Sequence, residues 1–336
     1  MRAVAISADR SLRVVELQAP DLLPDEVRVD VSFCGICGSD LHMREMPAVP
    51  AGVVLGHEFT GVITETGSAV TGWAPGDRVT ANPFDPCGKC QNCTSGYPEL
   101  CPTNARRGVG LVAYYGAYAE TVKVPQASLF RLPDELSDRD GALAEPLAVG
   151  LHGVNLSGAG PADPAVVLGG GPIGVMTALA LRAKGFEKVI CVEPATVRRE
   201  ALGALGFAVS DVEGQDENVR DFLSGPPRVV FDCTGHPVGI GSAIGMVAPA
   251  GQVMVVGIAS HPSTVHAMQI ATKEVSIRGS LAYTAADWTE AIGALASGQI
   301  PADAVITTVA PLEDAGKWFG ELTSGATQQI KVLLKP

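Results

Sequence analysis

Two hydrophobic patterns divide the chain. Near the N-terminus, apolar and polar positions alternate in short stretches bounded by turn residues, which predicts half-buried strands. From residue 165 onward, continuous apolar stretches alternate with helical segments, which predicts parallel strands buried on both faces. The first kind comprises RAVAI, LRVVEL, EVRVDVSF and FTGVITETG, and the second kind comprises AVVL, KVICVE, FAVSD, PRVVFDCTG, GQVMVVGIA and EVSIRGSLAY.

The remaining segments complete the expected domains. Residues 108–124 are predicted to be strand-like, with Tyr114 and Tyr115 packing rather than lining a pocket, and residues 140–157 are predicted to form a helix. The tail is predicted to contain two helices, AADWTEAIGALASGQI and PLEDAGKWFGELTSG, and a last strand in QIKVLLKP. We expect this tail to rejoin the first domain.

These patterns predict an α/β fold with two domains. The first is β-rich and discontinuous, and comprises residues 1–151 and 285–336. The second is a doubly wound parallel sheet and comprises residues 152–284. No internal repeat or low-complexity stretch interrupts either domain.

A glycine-rich turn follows the first buried strand of the second domain. Gly169, Gly171 and Gly174 fit the pattern G-x-G-x-x-G, with Pro172 and Ile173 between them. Glycines permit the tight turn and let backbone N–H groups approach a pyrophosphate at the helix N-terminus. Because a predicted strand precedes the turn and a predicted helix follows it, we predict a dinucleotide site here.

Glu193 ends the next predicted strand, about 20 residues past the turn. An acid there is placed to bind the adenosine ribose hydroxyls and to repel a 2′-phosphate, which favours NAD over NADP. Arg198 and Arg199 weaken this preference because arginine pairs with phosphate, although both suit a solvated helix face and Arg198 suits packing on adenine. Strand ends in such sheets face the ligand, so the nicotinamide half is predicted to contact Thr234, Gly257, Ile258, Ser280 and Leu281.

Four cysteines lie close together in the stretch DPCGKCQNCTSGYPELC. Cys87, Cys90, Cys93 and Cys101 have the spacing C-x2-C-x2-C-x7-C. Four thiolates close a tetrahedral zinc shell with no open position, so such a site holds a lobe together and does no chemistry. An iron–sulfur cluster and disulfides are the alternatives, but the wide last gap favours structural zinc.

A second group of polar residues stands in the stretches CGICGSDLH and LGHE. Cys37 offers a thiol, Ser39 a hydroxyl, His42 and His57 offer imidazoles, and Glu58 offers a carboxylate. Thiolate and imidazole suit Zn²⁺, and an incomplete shell leaves a position for water or substrate. The set predicts a catalytic metal site, although a buried cysteine and a core histidine are the ordinary reading of either residue alone.

Glu145 is the candidate for the third ligand of that metal. It lies in the apolar stretch GALAEPLAVGL, and a glutamate is costly to bury unless it is paired or bound to metal. The alternative is a solvent-facing glutamate on a helix.

Composition narrows the function classes. The 336 residues are 46% hydrophobic and 18% charged, which is ordinary for a globular protein of about two domains. A net charge of −12 without basic stretches argues against nucleic acid or an anionic membrane as partner. No apolar stretch reaches the ~20 residues of a transmembrane helix, and no signal peptide is recognisable. Eight cysteines without a signal peptide favour metal binding in a reducing cytosol, so a cytoplasmic location is predicted.

In these motifs the chain resembles the zinc-dependent medium-chain dehydrogenase/reductase family over essentially its whole length. The resemblance rests on CGSDLH at 37–42, GHE at 56–58, the four-cysteine loop, EPL at 145–147 and the glycine-rich turn, in that order. It implies a GroES-like catalytic domain, a Rossmann NAD-binding domain and two zinc ions per chain. It also implies a homodimer or a homotetramer.

The resemblance implies roles for individual residues. Cys37 and His57 match the zinc ligands of the family. Glu58 matches the adjacent acid, which binds the metal directly or supports it from nearby. Ser39 and His42 match a proton relay.

Glu145 marks a departure from the Cys₂His ligand set of alcohol dehydrogenase, because it stands where such enzymes have their second cysteine. An acid there resembles the sorbitol, threonine and butanediol dehydrogenase branch. The implied activity is hydride transfer between a secondary alcohol, diol or polyol and NAD(H). The alternatives are an NADPH-dependent carbonyl reductase of the same family and a non-catalytic nucleotide-binding protein.

Overall fold

The computed structural model covers most of the chain. It describes residues 1–111, 115–259, 261–325 and 327–336. The predicted packing of Tyr114 therefore lies outside the described residues. Tyr115 is 40% exposed and is not the packing residue that the sequence predicts.

The chain separates into two compact units. The first unit comprises Met1–Glu145, Thr284–Gly298 and Ala302–Pro336. The second unit comprises Pro146–Tyr283 and Gln299–Pro301.

The N-terminal part of the first unit is built mainly of strands. Alternating apolar residues bury one face of these strands against a shared core, as the sequence pattern predicts. The elements are β1 (Arg2–Ile6), β2 (Leu12–Glu16), β3 (Glu26–Gly35), α1 (Gly38–Glu45), β4 (Glu58–Thr66), β5 (Arg78–Ala81), α2 (Gln91–Thr94), β6 (Thr121–Pro125), β7 (Leu129–Arg131) and α3 (Asp138–Gly141), with 3-10 turns at Pro98–Leu100, Asn104–Arg107 and Gln126–Ser128.

The second unit alternates strands and helices. Its strands are short, and most of their residues are β-branched or otherwise apolar, which suits burial on both faces. The elements are α4 (Ala144–Ser157), which begins at the end of the first unit, then β8 (Ala165–Leu168), α5 (Pro172–Ala183), β9 (Val189–Val192), α6 (Thr196–Ala204), β10 (Ala208–Ser210), α7 (Gln215–Leu223), β11 (Val229–Asp232), α8 (Gly239–Met246), β12 (Gln252–Val255), α9 (Ala267–Lys273) and β13 (Ser276–Gly279).

The C-terminal part returns to the first unit. A capping box at Thr284 and Asp287 starts its first helix. The elements are α10 (Ala285–Ala296), α11 (Ala302–Val305), β14 (Ile306–Pro311), α12 (Ala315–Ser324) and β15 (Lys331–Lys335), with a 3-10 turn at Leu312–Asp314.

Two large sheets organise the units. The first unit has a seven-stranded sheet in the order β14-β15-β3-β4-β5-β7, with β6 also paired to β3. The second unit has a six-stranded sheet in the order β10-β9-β8-β11-β12-β13, and all of its pairs are parallel. This order has its switch point between β8 and β11, as in Rossmann folds. The predicted α/β fold, with a GroES-like sheet and a Rossmann sheet, is confirmed.

Some local predictions are wrong. Helix α1 at Gly38–Glu45 was not predicted; the carboxylate of Asp40 accepts a hydrogen bond from the backbone N–H of Cys37, just before this helix, and satisfies a donor at the helix start. The stretch 108–124 is strand only from Thr121, since Gly110 takes a positive φ of 70° in a turn. The strand β14 was not predicted.

None of the helices in the described part of the chain has the length and apolar character needed to cross a lipid bilayer.

Candidate metal and nucleotide sites

The four-cysteine loop folds into a compact group of thiols. The sulfur atoms of Cys87, Cys90, Cys93 and Cys101 all lie within 4.8 Å of one another. The backbone N–H of Cys87 donates to the sulfur of Cys101 at 3.4 Å, and this hydrogen bond is the largest of the effects that lower the pKa of Cys101 to about 6. Four converging thiols with a backbone donor fit a tetrahedral zinc ion, as the spacing predicts.

Helix α1 carries Ser39 and His42. It begins after Cys37, whose backbone N–H donates to the carboxylate of Asp40 at 3.1 Å. This bond satisfies one of the donors left free at a helix start. Ser39 and His42 are both exposed, so a proton on either side chain can exchange with solvent.

His57 lies just before β4 and is buried. Its Nε2 is 3.4 Å from the Ser39 hydroxyl, and its Nδ1 is 3.3 Å from Oδ1 of Asp40. A carboxylate beside Nδ1 keeps the proton on that nitrogen and leaves the Nε2 lone pair for a metal. Burial lowers the pKa of His57, but Asp40 and Cys37 outweigh it and hold that pKa well above its usual value.

Glu58 begins β4 and is fully buried against a lysine. Nζ of Lys331 donates to both carboxylate oxygens of Glu58, at 2.8 and 2.7 Å, and to the carbonyl of Ile36 at 3.2 Å. Burial lowers the pKa of Lys331, but the charges of Glu58, Cys37 and Glu145 outweigh it and leave that pKa raised. Three groups of the predicted metal site therefore raise the pKa of one lysine, and both oxygens of Glu58 are engaged in an ion pair with it.

Glu145 lies in the first turn of α4 and is 7% exposed. It is buried, as expected of a ligand, rather than facing solvent. Within the described parts of the chain, however, the four-cysteine loop is the only group that brings three or more ligand atoms within 4.8 Å of one another. Cys37, His57, Glu58 and Glu145 do not converge to that distance.

Sequence reasoning missed two charged residues of this region. Asp40 contacts His57 and the start of α1, and Lys331 neutralises Glu58. Lys331 could have been found, because it is a lysine in the apolar strand IKVLL, just as Glu145 is an acid in an apolar helix. Asp40 stands at the third position of α1, where an acid typically caps a helix.

The glycine-rich turn has the geometry that a nucleotide phosphate requires. Gly169 has a φ of +95°, and a Cβ on Gly174 would lie 1.9 Å from the carbonyl oxygen of Gly169, so neither position accepts a side chain. Gly171 caps α5, and Pro172 and Ile173 form its first turn. Proline suits this place because its missing N–H would have no helical partner. The first N–H groups of α5 remain for an anion.

Glu193 fastens the end of β9 to this turn. Its Oε2 accepts the backbone N–H of Gly170 at 2.6 Å, and its Oε1 accepts that of Ala195 at 2.8 Å. Arg199 donates to the carbonyl of Glu193 at 2.7 Å and pairs with Asp211 at 2.8 Å. Arg199 is therefore held within the unit and is poorly placed to bind a phosphate.

The residues predicted to meet nicotinamide follow the carboxyl ends of three strands. Thr234 is exposed after β11, and Gly257 and Ile258 follow β12. Ile258 is 75% exposed and Leu281, after β13, is 49% exposed, which is unusual for large apolar side chains. Ser280 is buried instead, at 8% exposure, because it faces Gly153 of α4.

Two family models match the chain. The alcohol dehydrogenase GroES-like domain matches residues 23–134, and the zinc-binding dehydrogenase domain matches residues 172–297. The 2-dehydro-3-deoxy-L-galactonate 5-dehydrogenase of Pseudoalteromonas atlantica is 33% identical, and the match covers 100% of this chain and 98% of that enzyme.

Solved structures show the same similarity. The 2R,3R-butanediol dehydrogenase of Bacillus subtilis superposes with a TM-score of 0.91 at 31% identity, covering 100% of this chain and 99% of that one. A structure from Sinorhizobium meliloti 1021, described as a zinc-binding dehydrogenase bound to NADP, gives the same values.

Fold and sites together define a zinc-binding oxidoreductase with a Rossmann nucleotide domain. The chain belongs to the zinc-dependent medium-chain dehydrogenase/reductase family, and it is an enzyme that oxidises or reduces alcohols or polyols.

Proposed function

We propose that this enzyme interconverts a secondary alcohol, diol or polyol and its ketone with NAD(H), at a zinc ion held by Cys37, His57 and Glu145. The observation that carries the proposal is the buried His57, with Nδ1 against Asp40 and Nε2 directed away from it. Similar enzymes are named for a butanediol and for a sugar acid, which supports the substrate class.

The proposed donors fit zinc. A thiolate, an imidazole nitrogen and a carboxylate make three protein ligands and leave a fourth position open, as in catalytic zinc sites. We do not include Glu58 among them, because Lys331 occupies both of its oxygens. Zinc, when bound, supplies Lewis acidity that polarises the substrate oxygen and lowers the pKa of its hydroxyl.

The chain's own residues move the proton. Ser39 lies beside His57, where its hydroxyl accepts the proton of the substrate alcohol. His42 is exposed one turn further along α1 and passes the proton to solvent. The remaining task of the protein is to hold the reacting carbon and the nicotinamide together and to exclude water.

Substrate and metal dependence can be tested together. NADH formation is measured with a panel of alcohols, diols and polyols, before and after treatment with a zinc chelator. Turnover of one secondary alcohol or diol that the chelator abolishes and added zinc restores is the expected result. No turnover with any member, while zinc and NAD still bind, would contradict the proposal and favour a non-catalytic protein.

The proposed preference for NAD rests on Glu193. Replacing Glu193 with Ala removes the ribose acceptor and the negative charge that repels a 2′-phosphate. We expect the ratio of kcat/KM for NAD to that for NADP to fall at least about tenfold, because one charge-assisted hydrogen bond contributes ~1.5–3 kcal/mol. Steady-state kinetics with both cofactors measures this ratio.

Glu200 provides the matched control, since it is an exposed glutamate on α6. Glu200→Gln should leave the cofactor ratio unchanged. A wild-type enzyme that already prefers NADPH would instead support the carbonyl reductase alternative, which the NADP-bound structural neighbour favours. Arg198 would then be the phosphate-binding residue, because its side chain forms no ion pair within the described residues.

We also propose that the enzyme is a homo-oligomer. In the described part of the chain, β13 is an edge strand that pairs only with β12, and all four of its residues are exposed. An open strand edge binds another strand, and a second copy related by a two-fold axis would continue the sheet. Analytical ultracentrifugation measures the mass, and a monomer at micromolar concentration would refute this assembly.

We place the enzyme in the cytosol for a chemical reason. All eight cysteines are free thiols, and the four of the zinc loop must stay reduced to bind metal. A reducing compartment satisfies this need, and localisation of a tagged chain tests it.

A further inference from the structure

Tyr118 is a fully buried tyrosine that the proposed reaction leaves without a role. Its backbone is fixed beside the segment that leads to His57. The N–H of Tyr118 donates to the carbonyl of Leu55 at 3.0 Å, and its carbonyl accepts the N–H of Val4 at 2.8 Å. The position of the side chain is therefore set by strand-like pairing rather than by a mobile loop.

The ring of Tyr118 packs directly on the residue before His57. Gly56 has a φ of +101°, and a Cβ there would lie 2.7 Å from the Tyr118 ring. Only glycine permits this approach. The edge of another ring, that of Phe319, contacts Tyr118 with centroids 5.9 Å apart at 84°. The phenol is held from two sides.

The hydroxyl of Tyr118 ends at Asp40. It lies 2.6 Å from Oδ2 of Asp40 and 3.1 Å from the carbonyl oxygen of Gly35. Burial and the charge of Asp40 raise the pKa of Tyr118 well above its usual value, so the phenol keeps its proton. A hydroxyl has one proton to donate, and the shorter contact assigns it to Asp40.

Asp40 is consequently locked in one orientation. Its Oδ2 accepts from Tyr118 and from the backbone N–H of Cys37, while its Oδ1 is left to face Nδ1 of His57 at 3.3 Å. Within the described residues neither Oδ1 of Asp40 nor Nδ1 of His57 has a hydrogen-bond partner, and the two atoms lie at ion-pair distance from each other. Rotation of the carboxylate would break both bonds to Oδ2, which keeps Oδ1 pointed at the imidazole.

We propose that Tyr118 is a positioning residue for the catalytic metal, which acts through Asp40 to fix the ring orientation and the tautomer of His57. This role rests on the proposed metal site at Cys37 and His57. Carboxylates that orient metal-binding histidines raise metal affinity, and their loss typically lowers it about 10–100-fold. Tyr118 acts on His57 through one intervening residue, Asp40, because the Tyr118 hydroxyl holds the Asp40 carboxylate in place.

Tyr118→Phe separates this role from simple core packing, because it removes the hydroxyl and keeps the ring. We expect zinc at the His57 site to be released to a chelator about tenfold faster, since the effect of an orienting group is of that order. Zinc in the four-cysteine loop provides an internal control and should be released at the wild-type rate. The absorption spectrum of the Co²⁺-substituted protein should also shift for the His57 site alone.

Asp40→Asn tests the route of the effect. If Tyr118 acts through Asp40, the double variant Tyr118→Phe, Asp40→Asn should release zinc as fast as Asp40→Asn alone. If the two substitutions instead multiply their effects on the rate of zinc release, Tyr118 acts independently of Asp40 and the proposal is overturned. Unchanged zinc release in Tyr118→Phe would also overturn the proposal. The same holds if Tyr118→Phe releases zinc faster from both sites and its thermal unfolding temperature falls in parallel.

Two further variants keep the test decisive. If Tyr118→Phe folds poorly, Asp40→Ala replaces it, because that variant retains the tyrosine. Asp40→Ala should speed zinc release from the His57 site alone. Any other result refutes the route through Asp40. His57→Ala checks the foundation, because a variant that keeps both zinc ions would refute the proposed metal site itself. If His57→Ala loses zinc while Tyr118→Phe releases zinc at the wild-type rate, only the role of Tyr118 is refuted.

Discussion

Replacing His57 with Ala is expected to abolish turnover and to remove one of two zinc ions per chain. The imidazole is the buried nitrogen donor of the proposed site, and Cys37 and Glu145 alone leave zinc weakly held. Loss of the Lewis acid removes several kcal/mol of transition-state stabilisation, so we expect kcat to fall about 10⁴-fold or more. Metal analysis and steady-state kinetics on the same preparation measure both effects.

Two controls accompany this variant. His266 is an exposed histidine before α9, and His266→Ala should change neither zinc content nor kcat. Cys101→Ala should also lose one zinc ion, from the four-cysteine loop, but the molecules that remain folded should retain the rate of the chemical step. A His57→Ala enzyme with wild-type kcat would place the chemistry elsewhere.

Replacing Lys331 with Met is expected to destabilise the first unit by about 3–5 kcal/mol, because it leaves a buried carboxylate without its cation. Lys331 is 1% exposed and Glu58 is 0% exposed, so water cannot solvate the remaining charge. Methionine fills much of the space of the lysine stem, which limits the cavity contribution. Denaturant unfolding followed by circular dichroism measures the free energy of unfolding.

The same ion pair supplies its own controls. Glu58→Gln in the Lys331→Met background removes the unpaired charge and should restore most of the lost stability. Lys335 lies at the exposed end of the same strand, and Lys335→Met should change stability by less than about 0.5 kcal/mol. A Lys331→Met protein as stable as wild type would mean that Glu58 takes up a proton or finds another partner.

The sequence predicted the architecture well because the two hydrophobic periods differ so clearly. Buried strands of the second unit, such as Ala165–Leu168, are continuous apolar stretches, and a helix follows this strand after a glycine-rich turn. The four-cysteine loop was equally readable, since its ligands are close in sequence. Local chemistry of this kind needs no knowledge of distant parts of the chain.

Partners that are distant in sequence could not be predicted in this way. Lys331 and Glu58 are 273 positions apart in sequence, and the residues around each give no sign of the other. Gly35 is another example, because a Cβ on it would lie 2.1 Å from Oε2 of Glu58. The need for glycine there comes from a carboxylate on the neighbouring strand, not from the local turn pattern.

The separation of Lys331 from Glu58 has a consequence for how the chain is made. Ribosomes add about 5–20 residues per second, so the strand that carries Glu58 emerges roughly 15–50 s before the strand that carries its cation. Until β15 arrives, the nascent first unit lacks the strand that lies between β14 and β3. The Rossmann sheet is complete before that time. We therefore expect the second unit to fold first during synthesis and the metal-binding unit to close only at the end.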